Sequence, residues 1–559
     1  MFAKVFKKLS TYHLYACLII ASAIIFRIVL SCLGWPVTDS DEATYHLMAL
    51  HILKNGEHPI FMYGGNYLGT IEAYLGAVLF RIFGPSVLVM RIEMVGLFAL
   101  FLIGLYFLTY RIYSPRFALL TIAFLVPGTE LMLDRQLVAS GGNAEINVFG
   151  VFVLLISFTL ASGRVEKGWK RAILYSLWGI FSGLALWSHI LIAPYLLIAG
   201  ILLVVFCWRE ILKWGLWLLL LGFVIGGYPL IKYNITSPPG ENSWSTYVQL
   251  STMGTPPNDN LLNHIMRTAI VSLPSMTGGR FAHAVTLWSS TATHAFRDAM
   301  YGWSFGYCLL LLCSISLAMA ALFRARHLRS RHQEYAGRDA QAQYVARLLL
   351  GCAAILTIVL YVKGSASVVD EYNSARYFSI LWISLPAVLW PLWRGLRYIQ
   401  SLPMWLNACK MSFFAAVLAG AWGIMLLGTM YTIQEIPRAQ QQDQRLTQIV
   451  ANLERLHVTR FYSEYWTCNK VVFASQEQII CAGTKVSNGT FLHGYDRYLP
   501  YQQILKASSN PAFVFPENDK NRIQTLMNLV VQQHIVYQRV DVAGYAIFML
   551  AQPLQDTGL

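Results

Sequence analysis

About eleven apolar runs constrain this chain more than any other feature of its sequence. A helix of roughly 20 apolar residues crosses the hydrocarbon core of a bilayer. The runs lie near residues 14–34, 87–108, 117–133, 143–161, 172–188, 190–206, 215–232, 303–322, 348–362, 378–393 and 411–432. The two short runs on either side of His189 could form one re-entrant hairpin, which leaves the count open by about two. We therefore predict a polytopic α-helical membrane protein.

The composition supports this class and excludes others. Hydrophobic residues make up 56% of the chain and charged residues only 13%, whereas a soluble domain carries about 25% charged residues. The net charge of +14 comes from short basic clusters between apolar runs, not from a basic stripe interleaved with aromatic residues. We therefore expect the lipid bilayer as a partner and no nucleic acid.

The basic residues also predict an orientation. The loops assigned to the inside hold 20 Lys and Arg in 82 residues, and those assigned to the outside hold 8 in 153. Such a bias places the Lys- and Arg-rich loops in the cytoplasm. The first run follows Lys4, Lys7 and Lys8 and lacks the small-residue exit of a cleaved signal, so we predict a retained helix with a cytoplasmic N-terminus. The expected location is the plasma (inner) membrane.

The chain divides into two predicted domains. Residues 1–433 form a transmembrane domain of about eleven helices, with a first outside loop at 35–86 and a large outside loop at 233–302. An odd number of spans puts the remaining segment, 434–559, outside the cytoplasm, in the periplasm or the extracellular space.

The C-terminal segment reads as a small α/β domain because helical and alternating patterns follow one another. "RLTQIVANLERLHVTRFYSEYW" predicts an amphipathic helix and a strand, and "VVFASQEQIICAG" predicts a pair of strands. The last stretch, 510–550, predicts a strand, a helix and two further strands.

The nine cysteines show neither CxxC spacing nor a Cys/His cluster of the zinc-binding type, so the spacing predicts no metal centre. Most of them lie within apolar runs, as small buried hydrophobic residues do. Cys468 and Cys481 instead lie in the domain assigned to the outside, where thiols can oxidise. A disulfide and two free thiols both stay open.

Three carboxylates crowd the point where the first span meets water, in "WPVTDSDEATYHLMALHILKNG" at 35–56. Thr38 or Asp39 can cap a helix that begins at Ser40 or Asp41. Carboxylates in the first turn, such as Asp41 and Glu42, are stabilised by the positive end of the helix. Capping explains one or two of the acids. A base that takes a proton from an attacking hydroxyl at the membrane surface would explain the third.

This region resembles the GT-C glycosyltransferases, in particular the branch of protein O-mannosyltransferases and bacterial lipid A aminoarabinose transferases. Asp41-Glu42, Tyr45 and Ala49 match that family's "DE-x-x-Y-x-x-x-A" run directly after the first helix. "AYLGAVLFRIFGPSVLVMRI" (73–92) resembles the family's "lfG…R" approach to the second helix, and "ARYFSILWISLPAVL" (375–389) resembles its late Arg-Tyr motif.

The resemblance implies a hexosyl- or pentosyltransferase that moves one sugar, with inversion, from a polyprenyl-phosphate donor to an acceptor outside the cytoplasm. The acceptor could be a glycolipid, a glycan or a protein. By position, Asp41 would be the catalytic base and Glu42 would assist it. Arg376, with Tyr377 beside it, would lie near the donor phosphate, because a guanidinium forks onto phosphate oxygens. Tyr45 would belong to the substrate site.

The sequence also departs from that branch. Thr44 stands where aminoarabinose transferases tend to have Arg, and Leu68-Gly69-Thr70 stands where they tend to have Lys-Pro-Pro. These differences argue against aminoarabinose transfer itself. The segment that replaces the Lys-Pro-Pro motif contributes a further acid, Glu72.

Two other candidates lie near the predicted outer face. Glu145 adjoins a lipid-facing span, where an ionised side chain is costly and usually functional; an interfacial or helix-terminal Glu is the alternative. His46 could contact an acceptor or a phosphate, or lie at the interface with its ring turned to water. No cofactor is expected, although a divalent cation stays open because some GT-C relatives use one.

The rival interpretation is a transporter or flippase of a lipid-linked saccharide. That function predicts charges near the membrane midplane and repeated halves. The acids of this chain instead cluster towards one face, which favours the enzyme.

Overall fold

The computed structural model describes residues 11–165, 168–253, 260–280, 292–328, 334–555 and 557–559. The chain forms two compact units. The first comprises Met1–Val29, Met94–Leu137 and Gly141–Gln434, and the second comprises Leu30–Glu93, Val138–Ser140 and Glu435–Leu559. The second unit therefore joins the segment after the first membrane helix to the C-terminal α/β segment.

Eight helical segments of the described chain are long and apolar enough to cross a membrane. They are Thr11–Cys32, Val87–Ile112, Asn143–Ala161, Ile190–Gly226, His294–Ala325, Gly337–Lys363, Asn373–Gly395 and Met404–Arg455. The predicted fold class, a polytopic membrane protein with a small C-terminal sheet domain, is confirmed.

The difference from about eleven predicted spans has local causes. The runs near 190–206 and 215–232 lie in the continuous segment Ile190–Gly226, and the run near 172–188 forms the separate helix Trp169–Ser188. The run near 117–133 is broken into Pro115–Ala123 and Glu130–Asp134.

Buried Arg27 stabilises that break. Its guanidinium donates to the carbonyls of Leu125 at 2.9 Å and Val126 at 3.1 Å, two acceptors just beyond the end of the helix Pro115–Ala123. It also donates to Gln136 Oε1 at 2.7 Å. Backbone acceptors in an apolar region need such partners, so a charge inside the first span serves the irregular segment.

The first unit contains further helices. The shorter ones are Tyr228–Thr236, Ser243–Thr252, Leu261–Arg267, Leu273–Thr277 and Ala366–Val369. The helices that form the long membrane segments are Ala193–Glu210, Leu216–Gly226, Ala292–Leu328, Glu334–Lys363, Leu385–Gly395 and Met404–Gln434. Single turns with 3-10 or π geometry occupy Ile190–Ile192, Ile211–Gly215 and Thr268–Ser272, and a longer 3-10 stretch covers Asn373–Ser384.

Close backbone contact joins the helices Trp169–Ser188 and Leu216–Gly226. A Cβ at Gly179 would lie 2.2 Å from the carbonyl oxygen of Leu219, and one at Gly183 would lie 2.4 Å from a backbone nitrogen. Small residues four positions apart allow this approach in membrane helices. Alanine at either position would therefore force the two helices apart.

The second unit contains six helices and a six-stranded sheet among its described residues. The helices are Ser40–Asn55, Ile71–Phe83, Ile436–Arg455, Tyr465–Ala474, Pro500–Lys506 and Lys520–Gln532. The strands are β1 (Arg460–Ser463), β2 (Ile480–Ser487), β3 (Thr490–His493), β4 (Ala512–Pro516), β5 (Tyr537–Val542) and β6 (Tyr545–Leu550). Their order in the sheet is β3-β2-β1-β4-β6-β5, with β1 parallel to β2 and β4 and the outer pairs antiparallel.

One predicted element is wrong. The run "VVFA" was expected to be a strand but ends the helix Tyr465–Ala474. Glu464 caps this helix by accepting from Trp466 N at 2.6 Å, and its apolar face buries Val471 and Val472 completely. A short apolar run does not distinguish a strand from a buried helical segment by its pattern. A disulfide joins Cys468 of this helix to Cys481 of β2, with the Cα atoms 5.1 Å apart.

Candidate active site

The helix Ser40–Asn55 positions two of the predicted site residues. Asp39 is its N-cap and accepts from Glu42 N at 2.7 Å, as the sequence predicted. The helix ends at Gly56, whose φ of 66° is the left-handed conformation that favours glycine. Asp41 and Glu42 both lie in the first turn but point into different surroundings.

Asp41 lies beside two side chains of the C-terminal segment. Arg497 donates to Asp41 Oδ1 through Nη2 at 2.7 Å and Nε at 3.0 Å. The Tyr465 hydroxyl donates to the same oxygen. The Asp41 side chain is 20% exposed and that of Arg497 is 14% exposed. The carboxylate is thus oriented by two donors and still reached by solvent.

The Tyr465 hydroxyl is a hydrogen-bond donor that does not ionise at physiological pH. Burial raises the pKa of Tyr465 well above its ordinary value, so the hydroxyl stays protonated at physiological pH. Arg497 Nε also lies 2.6 Å from the Tyr465 oxygen, which closes a three-membered network with Asp41. Hydrogen bonds to a charged group are among the stronger ones in proteins.

Two further contacts fix the position of Tyr465. Ser40 Oγ donates to the carbonyl of Tyr465 at 2.5 Å. Asn469, one turn along the same helix, donates to Thr44 Oγ1 at 2.8 Å. Thr44 is the position where the resembling transferases tend to carry Arg, and in this chain it anchors the helix Tyr465–Ala474.

Glu42 is fully buried and forms an ion pair with Arg91. Nε of Arg91 lies 2.9 Å from Oε1 and Nη2 lies 3.0 Å from Oε2. Arg91 also donates to Thr38 Oγ1 at 3.3 Å. A two-pronged contact of this kind satisfies both carboxylate oxygens, which favours a structural role for Glu42.

His46 belongs to the same buried group. Its Nε2 lies 3.8 Å from Glu42 Oε1, and its ring packs against Phe473 with the centroids 4.8 Å apart. Burial and the charge of Arg91 lower the pKa of His46 to about 3. The imidazole is therefore neutral at physiological pH and is enclosed by protein, unlike the interfacial histidine considered from the sequence.

Tyr45 and Glu72 are also buried. The Tyr45 hydroxyl donates to the carbonyl of Gly69 at 3.2 Å. Glu72 lies in the first turn of the helix Ile71–Phe83, and its residue surface is entirely covered. It interacts electrostatically with Glu93. Tyr45 therefore connects the helix Ser40–Asn55 to the segment before the helix Ile71–Phe83, and neither side chain faces solvent.

The other predicted residues lie in the first unit. The Arg376 guanidinium lies 5.4 Å from the centre of the Tyr377 ring, and the Tyr377 ring lies 5.7 Å from that of His189. Tyr247 accepts from Ile190 N at 3.2 Å and its ring lies 6.3 Å from that of His189. Arg376 thus lies beside the Tyr377 ring, on whose face a guanidinium can stack.

Glu145 is fully buried in the first turn of the helix Asn143–Ala161. The turn before it depends on Gly142, whose φ is +80° and where a Cβ would lie 2.5 Å from the carbonyl oxygen of Ser188. Only glycine fits this close approach.

Sequence reasoning missed Arg497, Tyr465 and Arg91. Arg91 could have been identified from the sequence, because it lies near the end of the run 73–92 that carries the resemblance. Arg497 and Tyr465 stand more than four hundred residues from Asp41 along the chain. Neither lies in a motif, so no local pattern indicated them.

The other end of the helix Ser40–Asn55 is tied to the C-terminal segment as well. Fully buried His51 contacts Tyr63 OH through Nδ1 at 3.0 Å and Glu477 Oε1 through Nε2 at 2.9 Å. Tyr501 donates to the same Glu477 oxygen at 3.1 Å. Burial alone would raise the pKa of Glu477, but its bond to His51 lowers it below the ordinary value. Both ends of the Asp41 helix are therefore fixed.

Asp496, beside Arg497, gives the unit an unusual pH dependence. Its carboxylate accepts from Gly483 N at 2.8 Å and Gln502 Nε2 at 2.7 Å, yet burial raises the pKa of Asp496 to about 6. Between about pH 4, the value of an unfolded Asp, and pH 6, the native state holds more protons than the unfolded state. Through this residue, stability therefore falls as the pH rises across that window.

We expect Asp496→Asn to remove this contribution. An amide carbonyl still accepts a hydrogen bond but never ionises. Thermal unfolding from pH 4 to 8 should show that the stability of the variant relative to the wild type increases as the pH rises. This difference in stability should level off above about pH 7. Parallel curves across the range would contradict the assignment.

No group of three or more His, Cys, Asp or Glu side chains suited to hold a metal ion occurs among the residues described. A divalent cation, left open by the sequence, therefore has no site assigned to it.

The fold is similar to those of solved membrane glycosyltransferases. ArnT from Cupriavidus metallidurans bound to undecaprenyl phosphate matches with a TM-score of 0.58 and 12% identity, covering 95% of this chain and 97% of that one. Apo ArnT from the same organism matches with a TM-score of 0.52 and 12% identity, covering 94% of this chain and 97% of that one. The Archaeoglobus fulgidus oligosaccharyltransferase in the apo form matches with a TM-score of 0.49 and 14% identity, covering 99% of this chain and 76% of that one.

No protein-family model matches the chain, and no curated protein matches its sequence. At 12% identity the likeness to ArnT concerns the fold. The fold expected from the resemblance is thereby confirmed, and the chain is a multi-pass membrane protein.

Proposed function

We propose that this protein is an inverting glycosyltransferase that moves a sugar from a polyprenyl-phosphate donor to an acceptor outside the cytoplasm. The observation that carries the proposal is the setting of Asp41. It is a partly exposed carboxylate in the first turn of the helix after the first membrane span. The fold supports the donor class, since the matching ArnT structure holds undecaprenyl phosphate.

Asp41 is assigned as the general base. An acceptor hydroxyl must lose its proton as its oxygen attacks the anomeric carbon, and a carboxylate within hydrogen-bond reach can take that proton. Arg497 and Tyr465 both donate to Oδ1. The other carboxylate oxygen, Oδ2, is the atom proposed to receive the proton.

The donor phosphate is assigned to Arg376. As the bond from the anomeric carbon to the phosphate oxygen breaks, negative charge grows on the leaving phosphate, and a guanidinium can balance it. The Tyr377 ring lies beside the Arg376 guanidinium, and the His189 ring packs against Tyr377. Glu145 is retained as a weaker candidate for substrate contact. The buried surroundings of Glu42, His46, Tyr45 and Glu72 favour support of the Asp41 helix over contact with substrate.

A transfer assay tests this function. Purified protein in liposomes would receive a panel of polyprenyl-phosphate sugars and separate acceptor pools of glycolipid, polysaccharide and protein. We expect sugar to move from one donor to one pool, with release of polyprenyl phosphate. Movement of the intact lipid-linked sugar between leaflets, with no transfer from any donor, would overturn the proposal in favour of a transporter.

Arg497 is assigned as a positioning residue for Asp41. Arg497→Ala removes two hydrogen bonds to a charged carboxylate, each of which contributes about 1.5–3 kcal/mol. Because Tyr465 still donates to Oδ1, we expect kcat to fall by about the equivalent of one such bond, 10-fold to 100-fold, with little change in KM for the donor. The acid limb of the pH profile should move to higher pH, because the cation that favours the ionised form of Asp41 is lost.

Arg539→Ala is the matched control. Arg539 also pairs with an aspartate, Asp541, at 2.9 Å, but this pair is 41% and 48% exposed on the strand β5. An exposed pair contributes about 0–1 kcal/mol. An unchanged acid limb in Arg497→Ala, with the protein folded, would refute the positioning role.

A further inference from the structure

The second unit contains a partly open cavity that the proposed reaction does not use. Its volume is about 210 Å³. A protein cavity of about 150 Å³ accepts a benzene ring, so this one has room for a six-membered ring with substituents. Every residue that lines it belongs to the second unit, and Asp41 is not among them.

The lining suits a ligand with an apolar face and polar edges. Leu446 and Phe473 form part of an apolar wall, and Thr38, Lys470 and Gln476 add polar side chains. Ligand pockets commonly combine a mainly apolar lining with a few placed polar groups. A pyranose ring has this division, with C–H groups on its faces and hydroxyl groups around its edge.

Lys470 points to a ligand that accepts hydrogen bonds. Among the described residues, its ammonium group has no hydrogen-bond acceptor and no carboxylate within salt-bridge distance, although it has three donors to place. Asp39, Asp443 and Glu464 act on it only from farther away. These carboxylates outnumber the cation, so the field disfavours an anionic ligand. A neutral polyhydroxyl ring fits both conditions.

The position of the cavity indicates where such a ring would come from. Pro85, Ser86 and Val87 line it, and Val87 begins the membrane-spanning helix Val87–Ile112. The cavity thus adjoins the end of a membrane span, where lipid headgroups lie. Gln476, which also lines the cavity, and its neighbour Glu477 both have positive φ values, 50° and 68°. Backbone strain of this kind is often found beside ligands.

We propose that this cavity binds one pyranose ring of a glycan presented at the membrane surface. The choice of a sugar over another small polar ring rests on the proposed function. The ring could belong to a donor or to an acceptor glycolipid, since the recognising chemistry is shared. Phe473 and Leu446 cover one face of the ring, and Lys470 and Gln476 donate to its hydroxyl groups.

Saturation-transfer NMR on the full chain in nanodiscs tests the site without requiring turnover. The probes are methyl pyranosides of the common hexoses and pentoses. We expect at least one pyranoside to bind the wild type. It should bind Lys470→Met about 10-fold more weakly, because a charge-assisted hydrogen bond is lost. It should not bind Ala474→Trp, because the indole side chain would fill the cavity. Lys506→Met, at an exposed lysine in the same unit, should bind like the wild type.

Further arms separate the alternatives. Asp41→Asn should keep pyranoside binding, so a failed transferase assignment leaves this test intact. Competition by a short-chain prenyl-phosphate sugar would identify the ring as the donor's, and competition by a glycolipid without phosphate would identify it as the acceptor's. The proposal would be overturned if no pyranoside bound, or if one bound Ala474→Trp as well as the wild type. It would also be overturned if octanol displaced the bound pyranoside while neither sugar-containing competitor did.

Discussion

Asp41→Asn should reduce sugar transfer by about 100-fold to 10,000-fold, the range that general base catalysis contributes. The amide keeps the size and one acceptor oxygen of the carboxylate but cannot take a proton at neutral pH. Because Arg497 and Tyr465 hold Oδ1 of Asp41, the substitution changes basicity more than geometry. The measurement is single-turnover transfer by purified protein with saturating donor, so that the chemical step is observed directly.

The charge that Asp41→Asn leaves behind needs its own control. Arg497 would lose its carboxylate while remaining 14% exposed, and a partly buried cation without a partner destabilises the fold. The double variant Asp41→Asn/Arg497→Met removes that cation. If the double variant recovers thermal stability but not transfer, the loss belongs to the base. Undiminished transfer by Asp41→Asn would eliminate Asp41 and move the assignment to Glu42 or Glu145.

The membrane class of this chain could be predicted because the bilayer imposes a length on apolar runs. The same length rule miscounts the spans where a helix ends within an apolar run. Near 117–133 a helix ends early because Arg27 supplies donors to free carbonyls, and Arg27 lies about a hundred positions away in the sequence. Similarly, the helical state of "VVFA" depends on its packing within the second unit, which its own four residues do not encode.

The candidate site was predictable only in its local part. The cap and the first-turn acids follow from neighbouring residues. The partners of Asp41 do not, because Arg497 reaches it from a loop after β3 and Tyr465 from a separate helix. Adjacent Asp41 and Glu42 look equivalent in the sequence. They differ because successive residues on a helix point about 100° apart, one towards solvent and the C-terminal segment and the other towards Arg91.

Arg91→Met should destabilise the second unit by about 3–5 kcal/mol, because it leaves Glu42 charged and buried without its partner. Glu42 is fully covered and Arg91 is 3% exposed, so water cannot replace either partner. The double variant Glu42→Leu/Arg91→Met should regain most of this loss, since replacing a whole buried ion pair by apolar side chains is often neutral or stabilising. Thermal unfolding in detergent measures both effects. Arg164→Met is the control, because Arg164 pairs with Asp339 at 2.7 Å while 49% exposed and should cost less than about 1 kcal/mol.

The same double variant separates the two roles open to Glu42. If Glu42 only holds the helix that carries Asp41, then a folded Glu42→Leu/Arg91→Met protein should transfer sugar within about 10-fold of the wild type, the residual loss reflecting small shifts of the helix. If Glu42 assists the base directly, transfer should stay as low as in Asp41→Asn although stability has returned. The complete burial of Glu42 and its two-pronged contact with Arg91 favour the first result.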